Sequence, residues 1–396
     1  DMITSSLGFF TFMFIMMAVV FGICHKAGKT EKGKKVLDVL PPIVWIFLAM
    51  ALAATFGVFD SSAEGVIAAQ NFQYSTFLPL MLIMFMLTCD VRKIFRLGPK
   101  MIAAFLLSSL CIMIGMTVGF LVTKSFLPDS GWASIAATTG SFIGETINMV
   151  AVAAVFGVEG VDYAYSVMMV TFGFTIFMTI IMALLPKKEK WNKFMGANTD
   201  GLDEIAKRIA EDADPNANTC VMLDYMYLFA IALTGTWAIN AIIPHLPPVT
   251  FLNATGWRVV LSSIIGICLG VTKLRKLKGA TEIANVFLYL SLCVTASYSD
   301  LKQCAQAPAF LVTMVIFLVV TFALWVLVSK LFKFDLFTAE VALTANVGGT
   351  SSAPLIAAAH NVNWISFGIL LGFFGDIVGT GLAIAFGNFL KMLAGI

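Results

Sequence analysis

Charge is scarce in this chain of 396 residues. Only 12% of them are Asp, Glu, Lys or Arg, about half the share of an ordinary soluble domain. Of the 25 basic and 23 acidic residues, 13 crowd between Lys187 and Asp214, so the remainder is poorer still. That scarcity, beside a 59% hydrophobic content and a mean hydropathy of +0.93, excludes a disordered chain, a nucleic-acid binder and a small secreted scaffold. Cysteine is sparse too. The seven (24, 89, 111, 220, 268, 293 and 304) are scattered with no CxxC or Cys/His spacing, which argues against a disulfide framework or a thiolate metal site; each reads as a small buried apolar residue. No HExxH, GxSxG, Walker or Rossmann pattern occurs, so neither an enzyme nor an ATP-driven pump has support, and no organic cofactor is expected.

What the sequence does have is long apolar runs. A membrane span needs about 20 apolar residues, and twelve segments qualify as candidates: 3–24, 36–58, 76–89, 101–127, 132–157, 163–185, 221–243, 257–271, 283–298, 310–331, 336–359 and 364–390. The chain therefore reads as an all-α polytopic membrane protein with about 10–12 transmembrane segments. Its first repeat covers residues 1–185, a charged linker 186–220 and a second repeat 221–396. Within the linker, Leu202, Ile205 and Ile209 recur at helical spacing among charges, the pattern of a short amphipathic surface helix.

Lys and Arg in short loops set the orientation. The cluster Lys26–Lys35 places the first loop inside and the amino terminus outside, and Arg92, Lys93, Arg96 and Lys100 agree two spans later. If all twelve segments crossed, the linker lysines, Lys273–Lys278 and Lys330–Lys333 would all lie outside. All three violations vanish if the stretch 126–185 crosses one time fewer. Segment 132–157, with glycines and polar residues at mid-depth, is the natural candidate for a re-entrant path.

The halves echo one another. Asp90 and Pro99 match Asp300 and Pro308, while Gly144-Glu145-Thr146 aligns with Gly349-Thr350-Ser351 at an offset of 205 residues; the same offset pairs Thr171 with Asp376 and Thr175 with Thr380. With the corrected crossing count the repeats are inverted, as in secondary transporters.

Three constellations could carry chemistry. In TTGSFIGETINMVAVA, Gly140 and Gly144 weaken a helix while Ser141, Glu145, Thr146 and Asn148 cluster around the break. Freed backbone is tolerated at membrane depth only beside protein or a polar cavity, and a carboxylate there must be paired, protonated or bound to a cation. In TANVGGTSSAPLIAAAH, Asn346, Thr350, Ser351 and Ser352 surround Gly348-Gly349, an interrupted helix whose carbonyls and hydroxyls suit Na⁺ and whose half-helix amino terminus suits an anion. In GFFGDIVGTG, Asp376 stands inside an apolar run with Thr380 one turn on, and Thr171 and Thr175 are the counterparts. Na⁺ is expected on Glu145, Thr146, Asn148, Thr350, Ser351 and Asp376. Blander readings suit His360, as an interfacial or capping residue, and Asp90 and Asp300, as helix caps.

GSFIGETINMVAVA together with ANVGGTSSAPLIAAA resembles the YjcL-like family of uncharacterised integral membrane proteins, in the superfamily of bile acid:sodium symporters and cation:proton antiporters. The resemblance covers nearly the whole chain. It implies two inverted repeats, a panel and a core domain, and two broken helices crossing at mid-membrane with ions beside the breaks. The chain departs from that pattern at Glu145, where a second glycine is expected, and at Asp376, where an aromatic is expected.

These features lead to the expectation of an ion-coupled secondary transporter in the plasma (inner) membrane, importing a small polar or anionic organic solute with Na⁺ or H⁺ as coupling ion. The linker would be cytoplasmic. Expected partners are that solute, the lipid bilayer and optionally a second copy in a homodimer. The alternatives are a cation/proton antiporter without organic substrate, and a membrane scaffold or sensor that uses the linker as its partner surface.

Overall fold

The computed structural model describes residues 2–40, 42–88, 90–197, 221–246, 254–298, 307–361 and 364–396. The amphipathic stretch at Leu202–Ile209, Asp300, and Cys89, Cys220 and Cys304 lie outside these residues, as does most of the linker on which the scaffold reading rests. The first half holds α1 (Ser6–Ala27), α2 (Glu31–Val39), α3 (Pro42–Thr55), α4 (Glu64–Phe72), α5 (Leu78–Leu87), α6 (Val91–Ile94), α7 (Gly98–Thr123), α8 (Gly131–Phe142), α9 (Glu145–Phe156), α10 (Gly160–Leu184) and α11 (Lys188–Met195). The second half holds α12 (Met222–Ile242), α13 (Ala254–Gly270), α14 (Ala280–Ser297), α15 (Ala307–Leu331), α16 (Leu336–His360) and α17 (Ile365–Ala394). No strand forms among the described residues beyond one isolated bridge, Ile3 to Phe59.

Among the described residues, seven helical stretches are long and apolar enough to cross a bilayer, from Ser6–Ala27 to Ile365–Ala394, so the chain is a multi-pass membrane protein. The other five of the twelve sequence segments give α3 and α13, which are shorter, α5, which continues from α4 through a π-helical turn at Gln73–Phe77, and two that do not run straight.

Those two are helical hairpins. The stretch 132–157 divides into α8 and α9 around Ile143 and Gly144, the latter at φ +153°. An unbroken helix would separate Trp132 from Phe156 by about 36 Å, yet their rings sit 5.2 Å apart, edge to face. A Cβ on Gly140 would lie 3.1 Å from the Asn148 carbonyl oxygen, so the two arms run side by side. The turn-back expected in this segment is present as a hairpin. In α16, Gly349 at φ +45° interrupts the helix. Glu340 and His360 would stand about 30 Å apart on a straight rod, but His360 Nε2 meets Glu340 Oε2 at 2.7 Å. Breaks that turn the chain back replace the crossing breaks implied by the resemblance. His360 is correspondingly no interfacial residue, since its ring is buried against Glu340 and Phe337.

The hairpins enter from opposite ends of α17. Phe337, at the base of the second, packs on Trp364 with 4.4 Å between ring centroids, whereas Lys391 lies over Trp132 at the base of the first. Glycines on α17 make both approaches possible. A Cβ on Gly372 would sit 2.6 Å from the Thr350 amide nitrogen, and one on Gly379 would sit 3.1 Å from the Ile143 carbonyl carbon. Small residues of this kind let helices touch backbone to backbone.

The basic loops gather at one end of the bundle. Arg275 pairs with Asp90, Lys100 with the buried Asp335 at 2.7 Å, and Lys330 donates to the Phe194 carbonyl. Asp335 also caps the second hairpin by accepting from the Thr338 amide at 2.9 Å, and Asp90 accepts from the Arg92 amide as its capping reading required. Two groups of helices pack internally. In one, α5 lies against α12, α13 and α14, with α3 on α14 and α1; in the other, α7, α15 and α10 hold the two hairpins and α17. Buried amides tie the first group together, Gln70 to Ser297 and Gln73 to Thr295. Of the cysteines described, Cys24, Cys111 and Cys293 are buried as expected, and Cys268 is exposed.

The hairpin geometry predicts that cysteines introduced as W132C and F156C, in a chain otherwise free of cysteine, are joined by a short bifunctional maleimide. Mass spectrometry of the linked peptides reads the product; its absence in folded protein would show that the segment crosses instead.

Candidate functional site

The tips of the two hairpins meet. Glu145 opens α9 with φ +69°, a left-handed backbone that costs a glutamate about 1–3 kcal/mol and that glycine adopts freely. In return the side chain reaches the other tip: Glu145 Oε1 accepts from the Ser351 amide at 2.8 Å and from Thr350 Oγ1 at 3.3 Å. Ser351 lies in the first turn of the outgoing arm, 350–360, where unpaired amides and the helix dipole favour an anion. Glu145 is therefore a tethered carboxylate on the other hairpin's helix end. Gly349 leaves room for it, because a Cβ there would fall on the Glu145 side chain.

A cavity of about 630 Å³ opens beside this contact, between the two helix groups. Nine of the residues read from the sequence line it: Ser141, Glu145, Thr146, Thr171, Gly348, Thr350, Ser351, Ser352 and Asp376. Asp376 is buried, and its Oδ1 has no hydrogen-bond partner among the described residues. No Lys, Arg or His among the described residues lines the cavity. Two carboxylates lining one cavity, with no basic residue among the described ones in the wall around them, need a proton or a bound cation.

The remaining expected residues are close by with other roles. Asn148 spends its amide on packing: Nδ2 donates to the Gly144 and Gly375 carbonyls at 2.9 and 3.2 Å, and Oδ1 accepts from Thr380 at 2.5 Å. Asn346 does the same for the second hairpin. Its Nδ2 donates to Ser108 Oγ and to the Phe105 and Ala342 carbonyls, while Oδ1 accepts from Ser109 at 2.6 Å. Neither asparagine lines the cavity; they pin the hairpins to α17 and α7. Thr175 donates to the Thr171 carbonyl, and Gly144 and Gly349 form the turns. The sequence reading missed the opposite wall, where Thr88, Thr281, Asn285 and Tyr289 face the tips alongside Tyr163 of α10. Asn285 was detectable as a lone amide inside an apolar span, but nothing local connects it to residues 140 positions earlier.

Fold and site together define a multi-pass helical membrane protein built around two helical hairpins and a shared acidic cavity. The chain belongs to the family described as protein of unknown function (DUF819), whose pattern matches residues 11–393. It is similar to the uncharacterized membrane protein YjcL of Bacillus subtilis (strain 168), with 24% identity over 364 residues that cover 86% of this chain and 89% of that protein.

Replacing Asn346 by Ala removes four buried hydrogen bonds, to Ser108, Ser109 and the Phe105 and Ala342 carbonyls, at a cost of about 1–3 kcal/mol. A lowered melting temperature in detergent is expected. An unchanged one would show that the amide does not pin the hairpin.

Proposed function

We propose that the protein is a secondary active transporter in which a coupling cation, Na⁺ or H⁺, binds between Glu145 and Asp376 while a small polar solute occupies the cavity. The observation that carries this reading is a pair of carboxylates, Glu145 at the meeting hairpin tips and Asp376 on α17, in a cavity lined by no basic residue among those described, between two separately packed helix groups. Oxygen atoms of Glu145, Thr146, Thr350, Ser351 and Asp376 supply the hard ligands an alkali cation prefers; Asn148 is already engaged and drops out of the ion set. A cation there neutralises the acids and holds the tips together. Its loss leaves like charges facing each other and frees the tips to part.

In this reading the two halves are inverted repeats. The group α1, α3, α5, α12, α13 and α14 forms a panel, and α7 to α10 with α15 to α17 forms a core that moves against it by alternating access. The basic end faces the cytoplasm of a plasma (inner) membrane, both hairpin tips lie near mid-membrane, and ten helices cross. The positive-inside bias is then obeyed by every Lys/Arg cluster. Because Glu145 already occupies the amino-terminal end of the arm 350–360, an anionic solute must displace it from Ser351, whereas a neutral polar solute need not.

A second reading is favoured by the same acidic lining: cation/proton antiport without an organic substrate, the two acids alternating between Na⁺ and H⁺. Proteoliposomes separate the two, since an imposed Na⁺ gradient alone drives proton flux only in an antiporter. Either way Na⁺ is expected to raise the thermal stability of the wild-type protein, and Glu145→Gln, which keeps the hydrogen-bond acceptor but not the charge, is expected to abolish that rise along with coupled flux. A full Na⁺ response in the Gln variant would sink the site.

A further inference from the structure

A second cavity lies away from the hairpins, at the lysine-rich turn between α1 and α3. It measures about 450 Å³ and its walls are apolar, with Ile23, Val36, Leu37, Trp45, Leu48 and Leu52 among them. Ile23, Val36, Leu48 and Leu52 are at least 38% exposed, so none of the described residues covers the trough. Its shape follows from the turn. Thr30 caps α2 by accepting from the Gly33 amide at 3.1 Å, and α2 presses so closely under α1 that a Cβ on Gly33 would lie 2.7 Å from the Ala27 carbonyl carbon. This lays the short amphipathic helix across the end of α1. Val36 and Leu37 join the trough while Lys32, Lys34 and Lys35 are exposed. With Lys26 and Lys29, five exposed lysines stand within ten residues, against Glu31 and Asp38.

We infer that the trough is a binding site for one anionic phospholipid, an acyl chain lying between α1, α2 and α3 and the phosphate resting among the α2 lysines. An apolar trough of this size stays free of water and is filled by hydrocarbon, and an amphipathic helix with lysines on its polar face is built to lie at the headgroup level. A neutral lipid would fill the trough equally well. The concentration of lysine selects the anionic one, because juxtamembrane cations draw anionic headgroups additively. Trp45 marks the interfacial level, its indole Nε1 donating to the Leu40 carbonyl at 2.9 Å.

The test is native mass spectrometry of the full chain, delipidated and offered equal amounts of phosphatidylglycerol and phosphatidylcholine with the same acyl chains. Wild type is expected to retain phosphatidylglycerol in preference by on the order of tenfold. The variant K32Q/K34Q/K35Q should lose the preference but still take up lipid, and Ala49→Trp, which fills the trough, should lose the bound lipid of either kind. Melting temperatures verify that each variant is folded. Equal retention of both lipids by wild type overturns the proposal, as does a preference that survives the triple substitution or a lipid that survives Ala49→Trp. Displacement by soluble glycerol 3-phosphate would assign the lysines to a free phosphate compound, and overturns it as well.

Discussion

Everything at the centre of this molecule depends on one carboxylate reaching across a gap. Two helical hairpins come from opposite ends of α17, and each stops in a turn whose backbone groups have no helical partner. Water satisfies such groups at a protein surface, but in an apolar interior the protein must do it. Glu145 accepts from the Ser351 amide and the Thr350 hydroxyl and so closes the end of the opposing helix with a negative charge where the dipole wants one. The strained backbone at Glu145 is the cost of that reach.

The other parts of the core serve the same meeting. Glycines on α17 bring it within backbone contact of both hairpins. Asn148 and Asn346, one per hairpin, hold the arms in place with buried amides. The bases are closed by Trp132 on Phe156 and by Glu340 on His360. Bases and arms are thus held by packing and by several hydrogen bonds each, whereas the tips share two described hydrogen bonds through a single carboxylate. Since local opening follows the elements with the fewest contacts, the tips are where the core parts most readily.

Much of this was written locally. The glycine pairs, the acid in an apolar run and the hydroxyl clusters are recognisable in a single sequence because each breaks the rule of its surroundings. The basic clusters even indicated that one segment turns back, since charge counting is independent of helix periodicity. Other features were not readable. A hairpin and a crossing helix bury the same residues with the same period, so only contacts such as Glu340 to His360 distinguish them. Asn148 and Asn346 looked like ligands because a buried amide signals polarity without naming its partner. The far wall of the cavity, with Asn285 and Tyr289, comes from segments whose own patterns are ordinary.

The scarcity of charge and the length of the apolar runs determined, from sequence alone, that this is a multi-pass membrane protein and that Glu145 and Asp376 are acids in need of a partner. Those are statements about solvation, which each residue carries with it. Which partner each acid has was decided only by the tertiary structure: Glu145 on the opposite hairpin 205 residues away, Asp376 toward the cavity with one oxygen unpaired among the described residues. Hydrogen bonds act over about 3 Å, and where two distant stretches come that close is set by how the helices pack, not by the residues that will meet.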